Sequence, residues 1–287
     1  MEIITNNTIM VYDSEHDEIV NSASESVATP GFVLSNRDGH AVNSYVELLT
    51  KVASLSYHNP RFQLLFRGQT TDYKMGASVN TSNLYPSILR QFVPRKNERR
   101  NALDREFELL TNAEQLLVEH IRRRDLIENQ IVRWAILQHY EVCKTPLLDV
   151  TASLQSALTF AIGGHDEGWL YVLAFPQLTG GVSVSIESKT QVINLCQICP
   201  PEALRPHFQQ GLLVSDYPEI RSREQSHGQQ GMRGNNFSAR LLTKFKLQNC
   251  QAWSSEGFIP TPDELLFPNA IDPWYELTQM VREKLHA

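Results

Sequence analysis

The sequence predicts an α+β protein. Two observations carry this. Helical periodicity is concentrated in the first half of the 287-residue chain, and apolar runs of strand length dominate the second half. No internal repeat of the solenoid or propeller kind interrupts the pattern.

The elements follow in order. Residues 1 to about 40 are polar, acidic and irregular, and are expected to form a mobile or loosely docked extension; 41–287 is then the folded domain. Val46, Leu48, Leu49, Val52 and Leu55 repeat at helical spacing after Ser44, and Pro60 closes that helix. Phe62–Gly68 reads as a strand ending at a glycine, followed by a loop through Leu84–Leu89. The longest helix is expected over about 97–123, with an apolar stripe through Leu103, Phe107, Leu110 and Leu117 and a solvated charged face. A second helix is expected over about 126–140. Leu147–Thr151 is a short strand, Ser153 an N-cap for a helix over Leu154–Ile162, and Gly163-Gly164 its stop. Strands follow at Trp169–Phe175, Gly181–Ile186 and Val192–Ile198, and from His207. Residues 216–238 lose all periodicity and read as a flexible insertion, after which Ala239–Leu247 resumes as a strand. Pro262 opens a short helix, and a last helix runs from about Trp274 to Leu285.

Composition excludes several classes. With 41% hydrophobic and 20% charged residues the chain can bury a core without metals or disulfides. A formal net charge of −6 argues against nonspecific binding to nucleic acid or an acidic membrane. There is no run of about 18 apolar residues and no secretory start, so a cytoplasmic setting is expected. Cys196-Gln-Ile-Cys199 has the spacing of half a zinc site, but the second half is missing, and the segment reads as a buried strand. No clustered carboxylates point to a metal-dependent hydrolase.

Three blocks carry a family resemblance. The first is Phe66-Arg67-Gly68-Gln69. The second is Leu137-Gln138-His139-Tyr140 with Leu147-Leu148-Asp149-Val150-Thr151-Ala152-Ser153 and Ala157–Ala161. The third is Arg205–Leu212, with Glu264–Pro268 beyond it. Together they resemble the FRG-domain family. Glu141–Pro146 departs from that pattern by replacing a shorter turn, and Val150 stands where an aromatic residue is common.

The layout is in turn similar to ADP-ribosyltransferases. These carry an Arg or His on an early strand, a Ser or Thr on a middle strand before a helix, and a Glu or related residue on a late strand. The resemblance implies split mixed or antiparallel sheets flanked by helices, NAD as substrate, and Arg67, Thr151 and Gln209 as catalytic residues. Arg67 offers a donor fork for phosphate or ribose oxygens. Gly68 would let backbone approach the nicotinamide amide. Gln69, Asp149, Ser153, His139 and Tyr140 complete the expected NAD site. Gln209 brings a dipole where a glutamate would bring charge; Glu202, Glu219 and Glu224 are the nearest carboxylates, Glu219 ranked first because it follows the late strand. Arg221, Arg223, Arg233 and Arg240 lie in or beside the insertion and suggest contact with a nucleic-acid or protein acceptor. A toxin or phage-defence effector, with an antitoxin partner, is one expected setting; a non-catalytic nucleotide- or partner-binding module is the alternative.

Each residue also has a scaffold reading. Arg67 and Asp149 could form a buried ion pair, or Asp149 could position His139. Thr151 and Ser153 could only cap a helix. His139 and Tyr140 could be satisfied core residues, and Gln209 and Gln210 a sheet-edge pair.

Overall fold

The computed structural model describes residues 10–13, 18–21, 34–76, 79–90, 96–121, 123, 126, 128–221 and 236–287. In chain order the elements are β1 (Met10–Asp13), β2 (Glu18–Asn21), β3 (His40–Val42), α1 (Tyr45–His58), β4 (Phe62–Gln69), β5 (Lys74–Gly76), β6 (Val79–Ser82), α2 (Lys96–His120), α3 (Gln130–His139), β7 (Leu148–Thr151), α4 (Leu154–Ile162), β8 (Gly168–Pro176), β9 (Val182–Ser185), β10 (Thr190–Asn194), α5 (Leu195–Ile198), α6 (Leu204–Gln209), β11 (Gly211–Asp216), β12 (Leu241–Leu247), α7 (Asp263–Leu266) and α8 (Pro273–His286). The architecture is α+β with mixed strand pairing. The chain forms two compact units: Met1–Leu84, Val150–Leu178 and Phe237–Thr261 in the first; Tyr85–Asp149, Thr179–Asn236 and Pro262–Ala287 in the second.

In the first unit the strand order is β3-β12-β8-β4. β3 is parallel to β12; the other pairs are antiparallel. β8 lies between β12 and β4, and Leu170–Phe175 are fully buried. A strand covered on both faces reads as an unbroken apolar run, which is why it was legible. Thr151 of β7 pairs with Phe66 on the free side of β4. Helix α4 lies on one face of β4 and β8. A Cβ on Gly68 would overlap the carbonyl oxygen of Ala157, and one on Gly168 would overlap that of Ala161. Two glycines on neighbouring strands and two alanines one helical turn apart thus bring helix and sheet backbones into contact.

In the second unit β9-β10-β11 form an antiparallel ladder. Helices α2, α3 and α8 build the core with it, through Leu110, Leu117, Trp134, Ile136, Leu137, Ile193, Leu213 and Val281.

The capping signals hold. Ser44 Oγ accepts from Glu47 N at 3.1 Å, while Glu47 Oε2 accepts from Asn43 N at 3.1 Å. Ser153 Oγ accepts from Ser156 N at 3.1 Å, and Gly163 ends α4 at φ +50°. Pro273 opens α8 behind its N-cap Asp272.

Within residues 1–40, β1 and β2 pair as strands, and Val11 and Tyr12 are buried. Three readings are corrected. The loop after β4 contains the hairpin β5–β6. Cys196 and Cys199 are not on a strand: Asn194 accepts from Cys196 N at 3.1 Å, ending β10 and starting the short helix α5. Gln209 is the last residue of helix α6, which Gln210 terminates at φ +46°, so the late strand begins only at Gly211. Residues 222–235, most of the expected insertion, lie outside the described residues.

Candidate functional site

Side chains alternate across a strand. Since Gly68 looks into α4, Arg67 and Gln69 look to the opposite face of β4. The register sets Arg67 beside Tyr171 of β8, and Tyr171 beside Lys244 of β12. Three adjacent strands therefore present Arg67, Tyr171 and Lys244 in one row, with Trp169 and Gln69 in the next.

Asp72 organises this row from the loop after β4. Its Oδ1 accepts from Tyr171 Oη at 2.8 Å, and its Oδ2 accepts from Lys244 Nζ at 2.9 Å and Lys74 Nζ at 2.6 Å. Lys244 Nζ also donates to Ser82 Oγ at 2.9 Å and Ser35 O at 3.4 Å. Burial works to raise the Asp72 pKa, yet the donors Lys74, Ser82, Lys244 and Tyr171 hold it below the usual carboxylate value. Burial lowers the ammonium of Lys244, against the pull of Asp72, and burial beside Asp72 raises the Tyr171 phenol. Lys244 is 2% exposed and its donors are committed, so it is scaffold; Lys74 and Arg67 are half-buried and form the accessible rim. Two lysines share one carboxylate here.

The Phe66–Thr151 pair sets Thr151 against the strand that carries Arg67. Its hydroxyl accepts from Ser153 N at 2.9 Å and Ser153 accepts from Ser156 N, so both hydroxyls shape the turn into α4. Gly68 is required by α4 packing, not by a ligand on that face.

The second block of the motif serves mainly as scaffold in the second unit. Leu137 is fully buried. Gln138 Oε1 accepts from Ser87 Oγ at 2.7 Å and Thr145 Oγ1 at 2.8 Å, while its Nε2 donates to Asp149 Oδ2 at 2.8 Å. The His139 ring occupies the space of a side chain at Gly211, where a Cβ would lie 2.7 Å from Cε1. Burial, with the charge of Arg205, pushes the His139 pKa down to about 3, so it stays neutral. The buried Tyr140 hydroxyl donates to Asp272 Oδ2 at 2.8 Å, and burial raises its pKa. Asp272 also accepts from Arg205 N at 3.0 Å. Gln209 is 6% exposed and its Nε2 donates to Leu266 O at 2.7 Å.

Of the alternative carboxylates, Glu202 is exposed in a turn and Glu224 lies outside the described residues. Glu219 lines a cleft of about 680 Å³ in the second unit, with Glu128, Gln191, Val182 and Arg221. Arg221 donates to Glu219 through Nε at 3.0 Å and through Nη2. Burial works to raise the Glu219 pKa, but Arg221 and Gln191 hold it low. Arg223 and Arg233 lie outside the described residues, and Arg240 is buried.

The sequence reading missed Asp72, Tyr171, Lys244, Gln138 and Gln191 as organising residues. One signal was present: Lys244 lies mid-strand in β12, four of whose seven residues are apolar. Among the described residues no group of three or more His, Cys, Asp or Glu could hold a metal, and no helix is long and apolar enough to cross a membrane.

Residues 63–168 match the family model described as the FRG domain, which supports the FRG-domain resemblance. That stretch contains Arg67, Gly68, Gln69, Gln138, His139, Tyr140, Asp149, Thr151 and Ser153, and ends before Gln209 and Glu219. No match was found among curated proteins or among solved structures.

Proposed function

We propose that this FRG-type chain is an NAD-using ADP-ribosyltransferase. The observation that carries the reading is the Phe66–Thr151 pair: an early strand bearing Arg lies against a strand bearing Thr, and a helix follows that Thr at once. It supports the reading at two of the three positions that the resemblance names. The two lysines that share Asp72 on this face add support, since cationic side chains suit the pyrophosphate of NAD.

The reaction breaks the nicotinamide–ribose bond and builds positive charge on the sugar. Arg67 holds phosphate or ribose oxygens by its rigid fork, and the Thr151 hydroxyl steadies the ribose. The acceptor is a protein or nucleic acid, and a toxin or defence role would be exercised through it. Labelled NAD and cell extract test the reading: wild type transfers label and releases nicotinamide, and Arg67→Ala does neither. Absence of both activities in the wild type refutes it.

One observation favours the non-catalytic binding module instead. Gln209, which stands where a glutamate is expected, is buried in a helix end with its amide committed to Leu266. NAD binding without nicotinamide release would select that reading.

A further inference from the structure

Strand β9 ends the β9-β10-β11 ladder with β10 as its one neighbour. Asn194 N donates to Gly181 O, which makes Gly181 a residue whose backbone faces β10. Alternation then turns Ser183 and Ser185 toward β10, and the N–H and C=O groups of Val182 and Val184 toward the open edge. Among the described residues none of those four groups has a hydrogen-bond partner on that edge. Edge strands are ordinarily protected by Lys, Pro or a bulge. Val182-Ser183-Val184-Ser185 has no charge, no proline and an unbroken register with β10, and Val184 and Ile186, the first residue of the turn beyond, are 46% and 67% exposed.

The cleft opens beside this edge. Val182 lines it, and so does Gln191, which pairs with Val184 and shares its face. Among the described residues the lining includes two carboxylates, Glu219 and Glu128, and one guanidinium, Arg221. Glu219 is fixed in place by Arg221 and by Gln191.

We propose that β9 and this cleft form one recognition surface for an extended segment of a partner protein. The segment adds as a strand to the edge of β9. Its backbone pairs with Val182 and Val184, and alternate side chains lie over Val184 and Ile186. One long basic side chain, Lys or Arg, enters the cleft toward Glu219 and Glu128. A second copy of β9 fits less well, because its Val and Ser side chains are too short to fill a polar cleft of about 680 Å³. This surface is independent of NAD chemistry, so its failure leaves the transferase reading untouched.

The test uses the full chain as bait for a phage-displayed library of random peptides, with binding of enriched peptides measured by fluorescence anisotropy. Enriched peptides should share a Lys or Arg at one position, with apolar residues at alternate positions. Val184→Pro removes one outward N–H that the sheet does not use, a substitution edge strands tolerate. It should weaken binding by about tenfold or more. Val184→Lys places a repelling charge on the same edge and should do likewise, and Glu219→Gln should relax the preference for a basic residue. Hydrogen exchange at Val182 and Val184 should slow on binding. Failure to enrich any peptide, or equal affinity for wild type and both Val184 variants, overturns the proposal. So does a homodimer in light scattering that Val184→Lys dissociates.

Discussion

On one face of β4, Phe66 and Gly68 lie beneath α4, where no atom larger than hydrogen fits at position 68. On the other, Arg67 and Gln69 lie beside Tyr171, Trp169 and a lysine-rich network around Asp72. Three consecutive motif residues therefore do different work. The glycine lets a helix dock, and the arginine faces a polar, partly open surface. The difference teaches that a short motif can join a folding requirement to a chemical one, and that the two can be separated by substitution.

The largest expected effect comes from the buried side of the polar network. Lys244→Ala empties a fully buried site and removes one of the two lysines on Asp72, which keeps Lys74 and Tyr171, and should cost about 3 kcal/mol, read as a fall in the urea midpoint. A loss under about 1 kcal/mol would mean that the network is solvated and that Lys244 belongs with the accessible rim. Gly68→Ala tests the opposite face. The added methyl meets backbone rather than a movable side chain, so the cost should reach the upper part of about 1–3 kcal/mol, again by urea unfolding. A neutral result would free Gly68 for a ligand-facing role.

A third prediction contrasts two groups of the second unit. Native His139 stays neutral down to about pH 3, whereas the unfolded chain protonates it below about 6.5. The unfolded state thus binds the extra proton, and this contribution to stability is lost as pH falls from about 6.5 to about 3. Asp216 acts oppositely. Burial raises its pKa to about 7, so its contribution is present below about 3.8 and lost as pH rises toward 7. The two oppose each other between about pH 4 and 6.5. Asp216→Asn should expose the His139 slope, about 1.4 kcal/mol per pH unit, with stability falling on acidification. An unchanged pH profile in that variant would contradict the burial of one of the two groups. The smallest effect is Ser153→Ala, a lost N-cap worth about 1 kcal/mol, measured by thermal unfolding. A larger loss would show that Ser153 does more than cap α4.

Much of the fold was legible because its signals are local. Ser153 marks a helix start through its own backbone neighbours, and β8 is apolar throughout because it is covered on both faces. The hairpins β1–β2 and β5–β6 are too short for periodicity to register. His207–Gln209 carry a strand pattern in sequence because the six-residue helix α6, with Pro206 near its start, shows no helical stripe. The site was legible only in part. Motif order singles out Arg67 and Thr151, which the Phe66–Thr151 pair sets on neighbouring strands. Asp72 and Lys244 were not, because they are 172 residues apart and meet only when β12 docks beside β8. His139 and Tyr140 drew a ligand-binding reading from their chemistry. Their partners, Arg205 and Asp272, come from distant segments and make them scaffold.

Nicotinamide release from NAD by wild type and by Arg67→Ala, with both proteins matched for circular dichroism and urea midpoint, tests the separation of the two faces most directly. Release by the wild type, reduced at least about a hundredfold by Arg67→Ala, a loss of about 2.7 kcal/mol of transition-state stabilisation, is the predicted result. Equal release by both proteins, or none by the wild type, would contradict it.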